Sequence, residues 1–170
     1  MIDVAEGAFP QDGTPPLSFV FVETSIGSPF AATESLLSVG TDSQFRGLKT
    51  NLRLLERGRA LTDGGEITVA RIDFEGGTLD MANGDVIAER SINFYDGVLR
   101  TGNSMLSTAE LNVHGALEID DGMISSEALN VDGTLDLISG TMSAVAIDVD
   151  GALNVVGGTT VTTTDFTVDG

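Results

Sequence analysis

From residue 72 onward the chain repeats one hydrophobic pattern. An apolar–polar–apolar triplet recurs at Ile72-Asp73-Phe74, Ile92-Asn93-Phe94, Leu111-Asn112-Val113, Leu129-Asn130-Val131, Ile147-Asp148-Val149 and Phe166-Thr167-Val168, with starts 20, 19, 18, 18 and 19 residues apart. A glycine follows each triplet (Gly76, Gly97, Gly115, Gly133, Gly151, Gly170). A second alternating pair comes next: Leu79/Met81, Leu117/Ile119, Leu135/Leu137 and Leu153/Val155, with Leu99 alone in its repeat. A second glycine (Gly84, Gly102, Gly122, Gly140, Gly158) precedes a third apolar patch around Val86, Leu106, Ile124, Met142 and Val161. Alternation with period two turns one face of a short strand inward and the other outward. The glycines mark corners that need positive φ or close backbone approach. Three short strands per repeat predict a triangular coil. One coil cannot bury its apolar face alone, so coils must stack into a continuous core. At ~4.8 Å per stacked strand, six coils make a rod of roughly 30 Å. The fold class is therefore all-β, a parallel β-helix with coils of 18–20 residues. The looser third corner is expected to absorb the drift in coil length.

A helix would need apolar spacings of three and four, and its glycines would cost about 1 kcal/mol each. A β-sandwich would lack the fixed glycine register. The register extends upstream through Leu52-Arg53-Leu54, with Leu61, Gly64, Ile67 and Val69 completing one more coil. Leu48, Leu52 and Leu55 also share a helical face, but Gly58, Gly64 and Gly65 would interrupt that helix. Two segments are thus expected: a non-repeating arm and cap over 1–50, and the solenoid over 51–170. Within the first, Ser18–Val22 reads as a strand, and Ala31–Val39 as a short helix or an irregular first coil. A solenoid end exposes core and unpaired backbone, so a cap is needed there. The carboxy end shows none and is expected to be open, either continued by further coils or met by another subunit.

Charge changes the picture. Acidic residues number 26 against 8 basic ones, a formal charge of −18. Every Lys and Arg lies between Arg46 and Arg100, and eleven carboxylates follow Arg100. Such a surface repels nucleic acid and anionic lipid. No stretch approaches the ~20 apolar residues of a membrane span. Met1–Gly7 lacks the basic and apolar regions of a signal peptide, so any signal is expected to have been removed or to lie in a longer chain. There is no cysteine, which is compatible with an extracellular address.

The repeats at Leu111–Gly170, clearest in Leu-Asn-Val-Asp-Gly-Thr-Leu-Asp-Leu-Ile-Ser-Gly-Thr at 129–141, resemble those of bacterial surface β-helices. Autotransporter passenger domains and repetitive exported proteins with sorting signals are similar. The resemblance covers about residues 52–170. It implies right-handed coils, export, and a place at the cell surface or in an extracellular matrix.

Stacking aligns outward residues into columns. The first strand gives Asp73, Asn93, Asn112, Asn130, Asp148 and Thr167, then Glu75, Tyr95, His114, Asp132, Asp150 and Asp169. The second gives Asp80, Arg100, Glu118, Asp136 and Asn154. Asp132, Asp150 and Asp169 are like charges on neighbouring strands, which destabilise one another unless salt or a cation screens them. Oxygen ligands of this kind suit Ca²⁺, so these three are the candidate metal site. No EF-hand loop or calcium-binding nonapeptide repeat is present, and no other cofactor is expected.

Catalysis is not expected. A glycosidase needs two carboxylates about 5–10 Å apart, which Asp132 with Asp150, or Glu118 with Asp136, could supply by stacking alone. A lyase needs a base and cations for an acidic sugar, and no Lys or Arg follows Arg100. The corners are too short to build a cleft. His114 is the lone histidine and reads as a column member. Thr159–Thr164 suggests a flat threonine face, but the equivalent segments are only Ser125-Ser126 and Ser143. The expected function is a non-catalytic structural or adhesive module, extracellular or at the cell surface. It would self-associate head-to-tail or by strand donation into a filament. The alternative is a β-helix that binds or cleaves an extracellular glycan.

Overall fold

The computed structural model describes residues 2–4, 23–26, 35–41 and 44–168. All secondary structure among them is β. Three short strands, β1 (Ile2–Val4), β2 (Glu23–Ile26) and β3 (Ser35–Gly40), precede β4 (Gln44–Leu55) and β5 (Gly58–Asp63). Two long strands follow, β6 (Glu66–Asp80) and β7 (Val86–Arg100). From residue 105 a nine-residue strand alternates with a four-residue one. The longer are β8 (Met105–Val113), β10 (Met123–Val131), β12 (Thr141–Val149) and β14 (Thr160–Val168). The shorter are β9 (Ala116–Ile119), β11 (Thr134–Leu137) and β13 (Ala152–Val155). All paired strands run parallel, and from β3 onward they lie about one coil apart in sequence, so the chain is a parallel β-solenoid.

Each coil has three sides. Taking β8 and β9 as an example, the C side is Met105–Thr108, the A side Glu110–Val113 and the B side Ala116–Ile119. C and A run on as one strand across a bend. The inward residues of the A side (Leu52, Ile72, Ile92, Leu111, Leu129, Ile147) are all 0–1 % exposed. Phe74 and Phe94 meet one coil apart, centroids 5.2 Å, within the range of favourable aromatic pairs. The core is this continuous stack of inward columns.

The additional coil expected at residue 52 is present as β4 and β5, not as a helix. One inward residue differs from expectation. Pairing of Ala60 with Leu79 puts Leu61 opposite Asp80, on the outward column. Ala60 and Thr62 are the buried pair, and Leu61 is half-buried. Ala31–Val39 resolves at its end into a strand: β3 pairs in parallel with β5. Ser18–Val22 lies outside the described residues.

Coil-length drift is shared between corners rather than confined to one. The A-to-B corner spends eight positions from Leu52 to Ala60, seven from Ile72 to Leu79 and from Ile92 to Leu99, and six thereafter. The C-to-A bend takes extra residues at Leu48–Thr50 and at Glu89-Arg90, where the ladder register shifts. The B-side ladder breaks where the A-to-B corner shortens: β9, β11 and β13 form their own sheet, separate from β7. A crevice of ≈ 540 Å³ lies at this seam, lined by Val98, Arg100, Leu117 and Glu118 among others.

From residue 102 onward the two glycine columns have different causes, whereas earlier Gly76 and Gly97 of the first column have positive φ and Gly84 of the second is confined by the Gly65 carbonyl. Gly102, Gly122, Gly140 and Gly158 have positive φ (51–102°), the left-handed turn that glycine tolerates best. Gly115, Gly133 and Gly151 are there for space. A Cβ at Gly133 would sit 2.1 Å from the Gly115 carbonyl oxygen on the preceding coil.

Candidate functional site

The outward columns are where the chain concentrates chemistry, and most of it is turned on itself. On the A side Asn93 Nδ2 donates to Asp73 Oδ1 (2.6 Å), Asn112 Nδ2 to Asn93 Oδ1 (2.9 Å) and Asn130 Nδ2 to Asn112 Oδ1 (2.7 Å). Each amide passes a hydrogen bond one coil back. The ladder ends on the Asp73 carboxylate, which also accepts from Arg71 Nε at 2.8 Å. Asn93 is buried, and burial of its amide requires these partners.

The neighbouring column begins with a bidentate ion pair, Arg53 to Glu75. On the next two coils Tyr95 and His114 stack, centroids 4.9 Å and planes 15° apart. His114 Nδ1 lies 2.8 Å from Asp132 Oδ2. Of the three carboxylates expected to hold Ca²⁺, Asp132 is therefore engaged by the histidine. Asp150 follows one coil on, its N–H bonded to the Val131 carbonyl. Asp169 lies outside the described residues. Among the described residues no three acids, histidines or cysteines converge on one cation position.

On the B side Arg59 pairs with Asp80 (2.7 Å) and Asn154 Nδ2 donates to Asp136 Oδ1 (2.6 Å). One carboxylate of each pair that stacking alone could bring to glycosidase spacing thus has a partner already: Asp132 has His114, and Asp136 has Asn154. The basic residues act the same way early in the rod, since Arg53 and Arg59 each reach an acid of the next coil. Exposed pairs of this kind contribute only about 0–1 kcal/mol each, so they set register more than stability.

One feature escaped the sequence reading, a shallow groove of ≈ 500 Å³ along the C-to-A bend. Its walls include Ser107, Ser125, Ser143 and Thr162, with Glu89 and Glu127 on the bend. The serine and threonine equivalence was visible in the sequence; the concavity was not, because it arises from the bend angle. Beneath it runs an inward column of small residues. Thr108 Oγ1 donates to the Glu110 carbonyl (3.0 Å) and Thr163 Oγ1 to the Asp165 carbonyl (2.7 Å). Ser126, in the same column, is buried with no partner for its hydroxyl.

A scan against protein-family models, a search of curated proteins and a search of solved structures each found no match. No helix among the described residues is long and apolar enough to cross a membrane.

Proposed function

We propose that this solenoid is a non-catalytic structural or adhesive module that works outside the cell, at its surface or in an extracellular matrix. The observation that carries the reading is the internal use of its polar columns. Several acids, amides and bases that could act on a substrate, among them Glu75, Asp80, Asp73 and Asp136, are instead bonded coil to coil. A surface with a charge of −18 and no cysteine suits a salty exterior. The resemblance of residues 52–170 to exported β-helices supports the same address. Self-association is a natural mode of action for a rod of similar stacked rungs.

Protease treatment of intact source cells, followed by detection of the chain, tests the address. Loss of signal from unpermeabilised cells is expected, and full protection would overturn it. A second reading, glycan binding, draws on the exposed Tyr95–His114 stack, a flat platform beside Asp132. A glycan array compared with Tyr95→Ala separates the two. Binding lost in that variant favours the platform, and no binding leaves the structural reading.

A further inference from the structure

The groove along the C-to-A bend carries polar groups that the rod does not use. Ser107, Ser125 and Ser143 stand in register on its wall, one per coil. Glu89 and Glu127 lie on the bend two coils apart, with Ala109 on the coil between. Two rungs put these carboxylates ~10 Å apart along the rod. Among the described residues, none of the three hydroxyls and neither carboxylate has a hydrogen bond or ion pair. The coils of β7, β8, β10 and β12 that carry them each have a neighbour on both sides, so this stretch of wall owes nothing to either end of the rod.

The floor points to a ligand independently. Ser126 lines the groove, is only 8 % exposed, and keeps a buried hydroxyl without a partner. Buried hydroxyls are nearly always paired, and a polar chain lying in the groove would bring a partner close. No Lys or Arg lines the groove, so it repels an anionic chain and attracts a cationic one. The backbone of the C side is already paired coil to coil, so a peptide cannot add there as a strand. Hydroxyls that recur once per rung suit instead a polymer with hydroxyls on every unit, since each group both donates and accepts. In an extended β-1,4-linked glycan alternate sugars present the same side, which matches carboxylates on alternate coils.

On the reading that this is an adhesive module, we propose that the groove binds a linear amino-sugar polymer lengthwise. Amines of alternate sugars lie against Glu89 and Glu127 in charge-assisted hydrogen bonds, and ring hydroxyls run along Ser107, Ser125 and Ser143. Both carboxylates are exposed, without the apolar pocket that a glycosidase acid needs. The groove therefore holds the chain and does not cut it.

Titration calorimetry of the full chain with a β-1,4-glucosamine hexamer reads the binding, at about pH 5.5 where carboxylates are ionised and amines charged. Saturable binding is expected, weakening as NaCl rises from about 0.02 M to about 0.5 M. The N-acetylated hexamer keeps the shape without the charge and should bind about tenfold more weakly. The double variant Glu89→Gln/Glu127→Gln should lose about as much, with no drop in melting temperature. Ser125→Ala and Ser126→Ala should also weaken binding while the fold stays as stable. Glu118→Gln/Asp150→Asn, which removes two charges elsewhere, should bind as the wild type does, and so should Tyr95→Ala. No saturable binding overturns the groove but leaves the structural reading intact. Undiminished binding by Glu89→Gln/Glu127→Gln overturns it too. Loss of binding in Tyr95→Ala overturns it in favour of the aromatic platform, and a lysine hexamer bound as tightly as the glucosamine hexamer overturns it in favour of charge alone. Cleavage of the hexamer would do the reverse, sinking the non-catalytic reading without touching the groove as the place of binding.

Discussion

Replacing Asp148 by Asn should stabilise the rod. The asparagine ladder passes one hydrogen bond per coil from Asn130 to Asn112 to Asn93 to Asp73, at 2.6–2.9 Å. Asp148 is the next rung, paired in register with Asn130. A carboxylate has no N–H to give, so Asn130 Oδ1 faces another acceptor. An amide at 148 would donate to it and extend the ladder by one rung. A net hydrogen bond contributes about 0.5–1.5 kcal/mol. Asn130 is half-buried and Asp148 exposed, so we take about 1 kcal/mol. Loss of one charge from a flank of like charges adds a few tenths. For a chain of this size about 1 kcal/mol raises Tm by about 2–4 °C. The assay is thermal unfolding by circular dichroism, with urea midpoints as a check. Asp148→Ala is the control, because it removes the same charge without supplying a donor. The reasoning is refuted if Asp148→Asn is no more stable than Asp148→Ala, or if it is destabilising.

Other consequences follow from particular contacts. Gly133→Ala drives a methyl into the Gly115 carbonyl and should cost about 1–3 kcal/mol or more, whereas Gly157→Ala meets open space and should fall within about 0.5 kcal/mol of wild type by the same melts. Ser126→Ala should be neutral or slightly stabilising in urea denaturation, since its buried hydroxyl has no partner, while Thr108→Ala loses a bond to the bend and should cost about 1 kcal/mol. Asn112→Asp breaks the ladder at its middle and should lower stability by about 1–3 kcal/mol. Millimolar Ca²⁺ should raise Tm no more than Mg²⁺ at equal ionic strength, because Asp132 is held by His114; a calcium-specific rise abolished by Asp150→Asn would place a site in that column.

The solenoid was legible because its signals are local and repeated. Alternation fixes which residues of Leu111–Val113 or Leu129–Val131 face inward, and the glycine register fixes where the coil turns. The asparagine column was legible for the same reason, since the spacing of the triplets put Asn112 over Asn93 without knowledge of any contact; the next column was not, because the ladder shifts after Phe74 and pairs Glu75 with Asp96 rather than Tyr95. What alternation does not encode is geometry at the corners. Leu61 looked like a core residue from its hydropathy, yet one residue of phase in β5 places Ala60 inward instead. The seam at Val98–Leu117 and the groove along the bend depend on how an extra or missing corner residue tilts the next strand. The engagement of Asp132 by His114 depends on side-chain reach, which the alignment of residues into a column does not show.

A scaffold whose polar columns serve its own coils has no chemistry left over to cut a substrate. Incubating the purified chain with a panel of neutral and acidic polysaccharides, and following new reducing ends and unsaturated products, tests it most directly. No product above a heat-denatured control is expected. Sustained product release that disappears in Glu89→Gln, Glu127→Gln or Asp132→Asn would contradict it.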